Sequence, residues 1–285
     1  MRPSPLAITV APNGARRTKA DHRALPLTPD ELGQTARACL DAGAAMLHMH
    51  VRDDHGRHVL DADGYRAAIR AVRAAVGHRL VIQVTTEAVG RYGSAEQMAL
   101  VRELRPEAVS LGLRELVPTT AAEPAAASFF AWLAEEPTLP QVILYSTEDI
   151  ARYRDLSRRG IMGADTIPVL FVLGRYSSGQ CAQPYDLLRF LTAWHGDLPP
   201  WTVCAFGPRE HECAVAAAAL GGDVRVGFEN NLALRGGTTA PDNAALVQQV
   251  AEAAQALGRP LETADMMRAR FARGRPHSGS NPPSH

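Results

Sequence analysis

Eight short runs rich in Ile, Val and Leu recur along this 285-residue chain, and each interval between them is long enough to hold a helix. The runs span 6–11, 45–51, 80–85, 108–113, 141–145, 166–171, 201–205 and 223–227. Strands of a parallel sheet are covered on both faces, so they read as nearly continuous apolar stretches rather than as alternation. Helices fit 62–76, 95–104, 121–135, 148–159, 184–194, 209–220 and 241–257, and the first interval carries its own helix start. There Thr28 can cap free N–H groups, Pro29 suits the first helical position and Glu31 can complete a capping box. Ala36, Leu40 and Ala44 then continue an apolar face. Eight βα units, one about every thirty residues, predict an α/β chain closed into a single-domain (β/α)8 TIM barrel.

A doubly wound open sheet shares this alternation. It loses ground because Ala11-Pro-Asn-Gly-Ala15, after the first run, lacks the Gly-x-Gly-x-x-Gly that lets backbone approach a dinucleotide pyrophosphate. Barrel and C-terminal extension are expected over 1–275, with 260–273 adding a terminal helix over the barrel or an oligomer contact. Residues 276–285, rich in Ser, Pro and Gly, read as a disordered tail.

Partner classes narrow on charge. With 30 basic and 30 acidic residues the net charge is zero, so no overall field invites a nucleic acid and a small substrate is the default. No membrane role is expected, and the short apolar run at 6–11 flows directly into further structure, which reads as no signal peptide. Cys39, Cys181, Cys204 and Cys213 are widely spaced, without a Cys-x-x-Cys pair. Reduced core thiols and a cytoplasmic location are the expectation. Lys19 is the only lysine and lies in the first βα loop rather than in a strand, which argues against a Schiff-base aldolase.

His48-Met-His50 ends the second strand. Strand side chains alternate faces, so two histidines one residue apart point the same way and can converge on one ion. Barrel active sites lie at the C-terminal strand ends, which is where this pair falls. Glu229 follows the eighth strand, which closure brings back to the first, and supplies a third ligand. Two imidazoles and a carboxylate leave positions open on zinc, the arrangement of a catalytic site. Against this stand blander readings: histidines bonded within the barrel, and Glu229 paired with Arg225 or Arg235. The other eight histidines end no later strand, which fits a binuclear amidohydrolase poorly.

Six segments together carry a further signal: Ile8-Thr-Val-Ala-Pro-Asn-Gly14, Leu25-Pro-Leu-Thr-Pro29, Ala42-Gly-Ala44, His48-Met-His-Val-Arg-Asp53, Phe171-Val-Leu-Gly174 and Arg225-Val-Gly-Phe-Glu229. In this combination the chain resembles the β-keto acid cleavage enzyme family over nearly the whole barrel. The resemblance implies a zinc-dependent acyl exchange, in which a β-keto acid and acetyl-CoA give acetoacetate and a new acyl-CoA, and it suggests a homo-oligomer. It implies Zn2+, or another divalent metal, on His48, His50 and Glu229. Arg225 would stabilise developing oxyanion charge, and Thr85, with Thr86 and Glu87 adjacent, would hydrogen-bond the substrate. Asn13, in the first βα loop, is a further substrate-binding candidate.

Three departures from the family pattern bear on mechanism and substrate. Asn230 stands where the type member has an aspartate, and an amide nitrogen cannot accept the proton, so Glu115 after the fourth strand is the first candidate base. Arg16 replaces a glutamate that recognises an amino group, which argues against an aminated substrate and for an anionic or polar acyl end received by Arg16 with Arg17. The fifth strand end, Gln141-Val-Ile-Leu-Tyr-Ser-Thr147, lacks the family's acidic pattern. Other readings of the same residues are a different metal-dependent aldolase or hydrolase, or a non-catalytic barrel that binds a metal or small ligand.

Overall fold

The computed structural model describes residues 3–163, 167–176, 179 and 181–273. Eight parallel strands close into a barrel: β1 (Ile8–Val10), β2 (Met46–Met49), β5 (Val81–Thr85), β6 (Ala108–Gly112), β7 (Leu139–Leu144), β8 (Val169–Leu173), β9 (Trp201–Ala205) and β10 (Asp223–Val226). Every predicted run overlaps one of them, although β7 starts two residues earlier than its run and β8 ends two residues later. Closure is made by β1 pairing β10, with Thr9 beside Arg225, and β2 on its other side, with Val10 beside Leu47. β8 begins later than predicted because Pro168 has no N–H to pair; its carbonyl instead accepts from Val142 N at 2.9 Å. The first residue of the predicted run, Thr166, lies outside the described residues, as does the expected tail at 276–285.

Helices α1 (Pro29–Asp41), α2 (Ala62–Val76), α3 (Ser94–Leu104), α5 (Glu123–Glu135), α6 (Thr147–Arg158), α7 (Asp186–Ala193), α8 (Glu210–Ala219) and α9 (Asn243–Ala256) alternate with the strands, and a four-residue helix, α4 (Leu113–Leu116), follows β6 directly. The start of α1 is the capping box foreseen from sequence. Glu31 N donates to Thr28 Oγ1 at 3.3 Å, and Glu31 Oε2 accepts from Thr28 N at 3.1 Å and Leu27 N at 2.8 Å. Leu32, Ala36 and Cys39 bury the inner face of this helix against the strands. Burial of the Leu32 side chain contributes roughly 1.5–3 kcal/mol, and the smaller Ala36 and Cys39 contribute less.

A two-stranded antiparallel hairpin, β3 (Val51–Arg52) with β4 (His58–Val59), was not foreseen and rises from the end of β2. At the opposite end of the barrel lies a terminal helix, α10 (Ala264–Arg273). Its Ala264 and Met267 cover Ala7, Ala45, Met46, Val81 and Ala108, which sit at or just before the N-terminal ends of their strands. The four cysteines form no disulfide, and Cys39, Cys204 and Cys213 are buried. No helix among the described residues is long and apolar enough to cross a membrane.

Candidate metal centre and active site

His48 leaves the end of β2 pointing into the barrel and His50 follows two residues later, both fully enclosed. The loop after β10 brings in Glu229. Gly227 makes that return possible: its φ is +139°, and a Cβ there would stand 2.4 Å from the Ala11 carbonyl oxygen. Glu229 N then donates to the same oxygen at 3.0 Å, tying the loop after the eighth barrel strand to the first.

Three ligand-capable atoms therefore converge. His48 Nε2 and His50 Nε2 are 3.3 Å apart, and Glu229 Oε2 lies 3.5 Å from the first and 3.4 Å from the second. Ligand atoms at about 2.1 Å from a tetrahedral ion are about 3.4 Å from one another, so this triangle has the size of one face of such a site. Glu229 Oε2 makes no hydrogen bond despite its burial, as a donor atom reserved for a cation would. The protonation states agree. Burial, reinforced by Arg225, pushes the His48 imidazole down to about 3, leaving it neutral. Burial opposes ionisation of Glu229, but the Arg225 guanidinium outweighs it and holds the carboxyl well below its ordinary value.

Polar side chains inside the barrel aim the first imidazole. His48 Nδ1 donates to Gln83 Oε1 at 2.8 Å, which turns the Nε2 lone pair toward the centre. Gln83 Nε2 donates to Gln141 Oε1 at 3.2 Å, and Gln141 Nε2 to Thr202 Oγ1 at 3.1 Å. These three come from β5, β7 and β9, alternate strands of the barrel, which is how such barrels build an interior layer.

Beside the three atoms lies a narrow pocket lined by His48, Glu229, Arg225, Thr85, Glu87 and Glu115, among others. Ile143, Val172 and Phe206 give it an apolar wall. Arg225 donates to Glu229 Oε1 at 3.1 Å and to Cys204 Sγ at 3.3 Å. Burial disfavours its charge, yet Cys204 and Glu229 outweigh that and raise its pKa. Thr85 Oγ1 accepts from Glu87 N at 3.0 Å. Glu115 Oε2 accepts from Ala88 N at 3.0 Å, and its carboxyl is raised above the ordinary value chiefly by burial.

Besides His50, which reaches the triangle from behind His48, three residues expected in the site lie outside the pocket lining. Asn13 is fully buried and serves the backbone: Nδ2 donates to His50 O at 3.0 Å and Pro26 O at 3.1 Å, and Oδ1 accepts from His50 N at 3.2 Å. It clamps a candidate ligand strand and has no polar group left for a substrate. Arg16 is exposed on its loop, while Arg17 is the ordered one, donating to Phe228 O at 2.7 Å. Asn230 points away from Glu229 because the chain turns there, with Asn230 N donating to Gly227 O at 2.8 Å. Its Nδ2 lies 3.4 Å from Glu210 Oε1. Lys19 pairs with Glu31 at 2.6 Å, far from any role in a buried imine.

Sequence reasoning passed over Glu210, Arg175 and Tyr145 as site residues. Glu210, at the start of α8, accepts from Gly227 N at 3.1 Å and from the side chains of Asn230 and Asn231, and burial raises it to about 8. Arg175 and Tyr145 both line the pocket. An Arg directly after Phe171-Val-Leu-Gly174 and the Tyr at the fifth strand end were the available signals, while nothing in the sequence marked Glu210.

Comparison with known proteins gives a family match and whole-length relatives. The family model for beta-keto acid cleavage enzyme matches residues 5–272. The chain is 31% identical over 270 residues to a 3-keto-5-aminohexanoate cleavage enzyme of Fusobacterium nucleatum, covering 92% of this chain and 96% of the relative. It is 31% identical over 276 residues to a 3-oxoadipate:acetyl-CoA acetyltransferase of Cupriavidus necator, covering 93% and 94%. Among solved structures, ObcA bound to oxaloacetate superposes with a TM-score of 0.69 at 18% identity, covering 87% of this chain and 67% of that one, a likeness of fold.

Proposed function

The chain belongs to the beta-keto acid cleavage enzyme family, and from that premise we propose that it transfers an acyl group from a β-keto acid to CoA, using acetyl-CoA and releasing acetoacetate. The observation that carries this reading is the triangle of His48 Nε2, His50 Nε2 and Glu229 Oε2 beside a pocket holding Arg225 and Glu115. A divalent ion, zinc by the nitrogen-rich donor set, would be held by these three residues and would supply Lewis-acid polarisation of the keto acid.

The protein's own groups divide the remaining work. Glu115, raised by burial, is suited to take a proton from the carbon between the keto and carboxylate groups. The resulting carbanion equivalent attacks the acetyl thioester, forming a carbon–carbon bond and releasing CoA thiolate. The thiolate then attacks the original acyl carbonyl, and cleavage of its bond to the central carbon gives the new acyl-CoA and a carbanion that takes the proton back from Glu115 to leave acetoacetate. Arg225 offers fixed positive charge to oxygens that become anionic in both steps. Thr85 supports a substrate oxygen, and the acyl end extends toward Glu115, Tyr145 and Arg175 rather than toward exposed Arg16.

Metal analysis joined to a mass-spectrometric screen of neutral, anionic and cationic β-keto acids with acetyl-CoA tests this function. Acetoacetate and a matching acyl-CoA must appear together. Tight metal loading without either product across the panel would leave a metal- or ligand-binding barrel as the surviving reading.

A further inference from the structure

The two histidines of the candidate centre differ in how their far nitrogens are met. His48 Nδ1 has Gln83 Oε1 at 2.8 Å, whereas His50 Nδ1 is buried with no hydrogen-bond partner. An imidazole that binds an ion through one nitrogen donates from the other, usually to a carboxylate or carbonyl that fixes its tautomer and raises its basicity. Leaving such a buried donor unanswered costs about 1–3 kcal/mol.

A carboxylate faces that atom. Glu87 Oε2 stands 3.8 Å from His50 Nδ1, beyond a hydrogen bond by less than an ångström and within reach of a small side-chain rotation. The backbone of Glu87 is pinned on both sides: its carbonyl accepts from His58 Nε2 at 3.0 Å and its N–H donates to Thr85 Oγ1 at 3.0 Å. The His58 ring also packs against His50, with centroids 5.0 Å apart, and limits how far that imidazole can turn. The second carboxylate oxygen, Oε1, accepts from Arg175 Nη2 at 3.4 Å, and that guanidinium lies over the Phe206 ring at 4.9 Å. Glu87 follows β5 and Arg175 follows β8, so the ion pair joins the ends of the third and sixth barrel strands beside the pocket.

We infer that Glu87 is a positioning residue for His50: it accepts the Nδ1 proton, keeps Nε2 unprotonated and aimed at the ion, and is itself steered by Arg175. This rests on His48, His50 and Glu229 being metal ligands. Gln83 and Glu87 then perform one task for the two imidazoles, the first with a neutral acceptor inside the barrel and the second with a charged one at its mouth. Charge matters at the second place, because a carboxylate there offsets part of the cation's charge and draws the His50 proton outward, while Arg175 keeps that carboxylate from swinging in to become a fourth ligand.

Competition between the full-length protein and a chromophoric zinc chelator, with Glu87→Ala and Glu87→Gln beside wild type, tests the inference. Zinc affinity is expected to fall roughly 10- to 100-fold in Glu87→Ala and to recover in part in Glu87→Gln, whose amide oxygen still accepts from Nδ1. If Glu87→Ala fails to fold by circular dichroism, Glu87→Asp, which withdraws the carboxylate by one methylene, is measured in its place with at least a tenfold loss expected, about the lower bound for such partners. Folded variants that hold zinc as tightly as wild type overturn the role of Glu87 alone. Wild type that binds no divalent ion instead overturns the metal reading beneath it.

Discussion

A Cβ built on Gly14 would stand 2.6 Å from Cγ of Glu229, closer than such atoms ever approach. Gly14 also sits at φ +61°, where a side chain is strained whatever the space. The turn after β1 is thus shaped to let Glu229 lie across it toward the two histidines. Gly14→Ala is expected to lower unfolding free energy by about 1–2 kcal/mol through the left-handed backbone alone. The displaced carboxylate should weaken zinc binding by about tenfold more than that strain explains. Denaturant titration and chelator competition on the same preparation separate the two effects. Normal zinc affinity in a destabilised protein would mean that Glu229 is not a ligand.

Gln83 bridges His48 Nδ1 and Gln141 Oε1 within the barrel interior. Gln83→Leu keeps the bulk but leaves a donor and an acceptor buried without partners, which costs about 1–3 kcal/mol for each. His48 should also lose its tautomer preference, and with it roughly 10- to 100-fold in zinc affinity. Gln83→Glu is the informative companion: it retains an acceptor for Nδ1 but turns a donor into an acceptor against Gln141 Oε1. It is expected to hold zinc better than Gln83→Leu while unfolding at lower denaturant than wild type.

The barrel was legible because a strand covered on both faces must be apolar along its whole length, and eight such runs left little choice of architecture. The candidate triad was legible for a related reason. Period-two geometry put His48 and His50 on one side, and closure of β10 onto β1 brought Glu229 to them. Asn13, Arg16 and Asn230 were harder because they lie in loops, where one turn decides which neighbour faces the pocket. The turn at Gly227 sends Glu229 inward and Asn230 toward Glu210. Nor does a sequence reveal an ion pair such as Glu87 with Arg175, whose members lie 88 residues apart and meet only because two strand ends do.

Glu31 offers a test of the outer shell of the fold against pH. Burial opposes its charge, but Lys19 and the N–H groups of Leu27 and Thr28 outweigh that and lower it to about 2 from an ordinary 4.5. A carboxyl lowered on folding stabilises the protein above its unfolded value, and that contribution is lost as pH falls from 4.5 through 2. The side chain is about one-third exposed, so solvent screening reduces the effect to about 1 kcal/mol, the size of a helix cap. Glu31→Gln should therefore be less stable than wild type by about that amount at pH 7, and the gap should narrow steadily in urea titrations taken to pH 3. A gap that stays constant with pH would assign the loss to shape rather than charge.

Glu115 and Asn230 pose the last question together, because one must supply what the other cannot. An amide at 230 has no basic site for a proton, whereas the Glu115 carboxyl lines the pocket and is raised mainly by burial, with Glu87 adding to the effect. A base acts only when ionised, so kcat/KM should fall on the acid side with a midpoint above the ordinary carboxyl value. Glu115→Gln should cost about 10²- to 10⁴-fold in kcat and remove that limb. Unchanged turnover would end the assignment. Restoring an acid by Asn230→Asp is expected not to help, since Asn230 Nδ2 lies 3.4 Å from Glu210 Oε1 and two carboxyls so close cannot both ionise. That variant should lose stability as pH rises from 5 to 8, while its kcat stays at or below wild type. Increased turnover in Asn230→Asp would show that the loop can turn residue 230 into the pocket, and would move the proton transfer there.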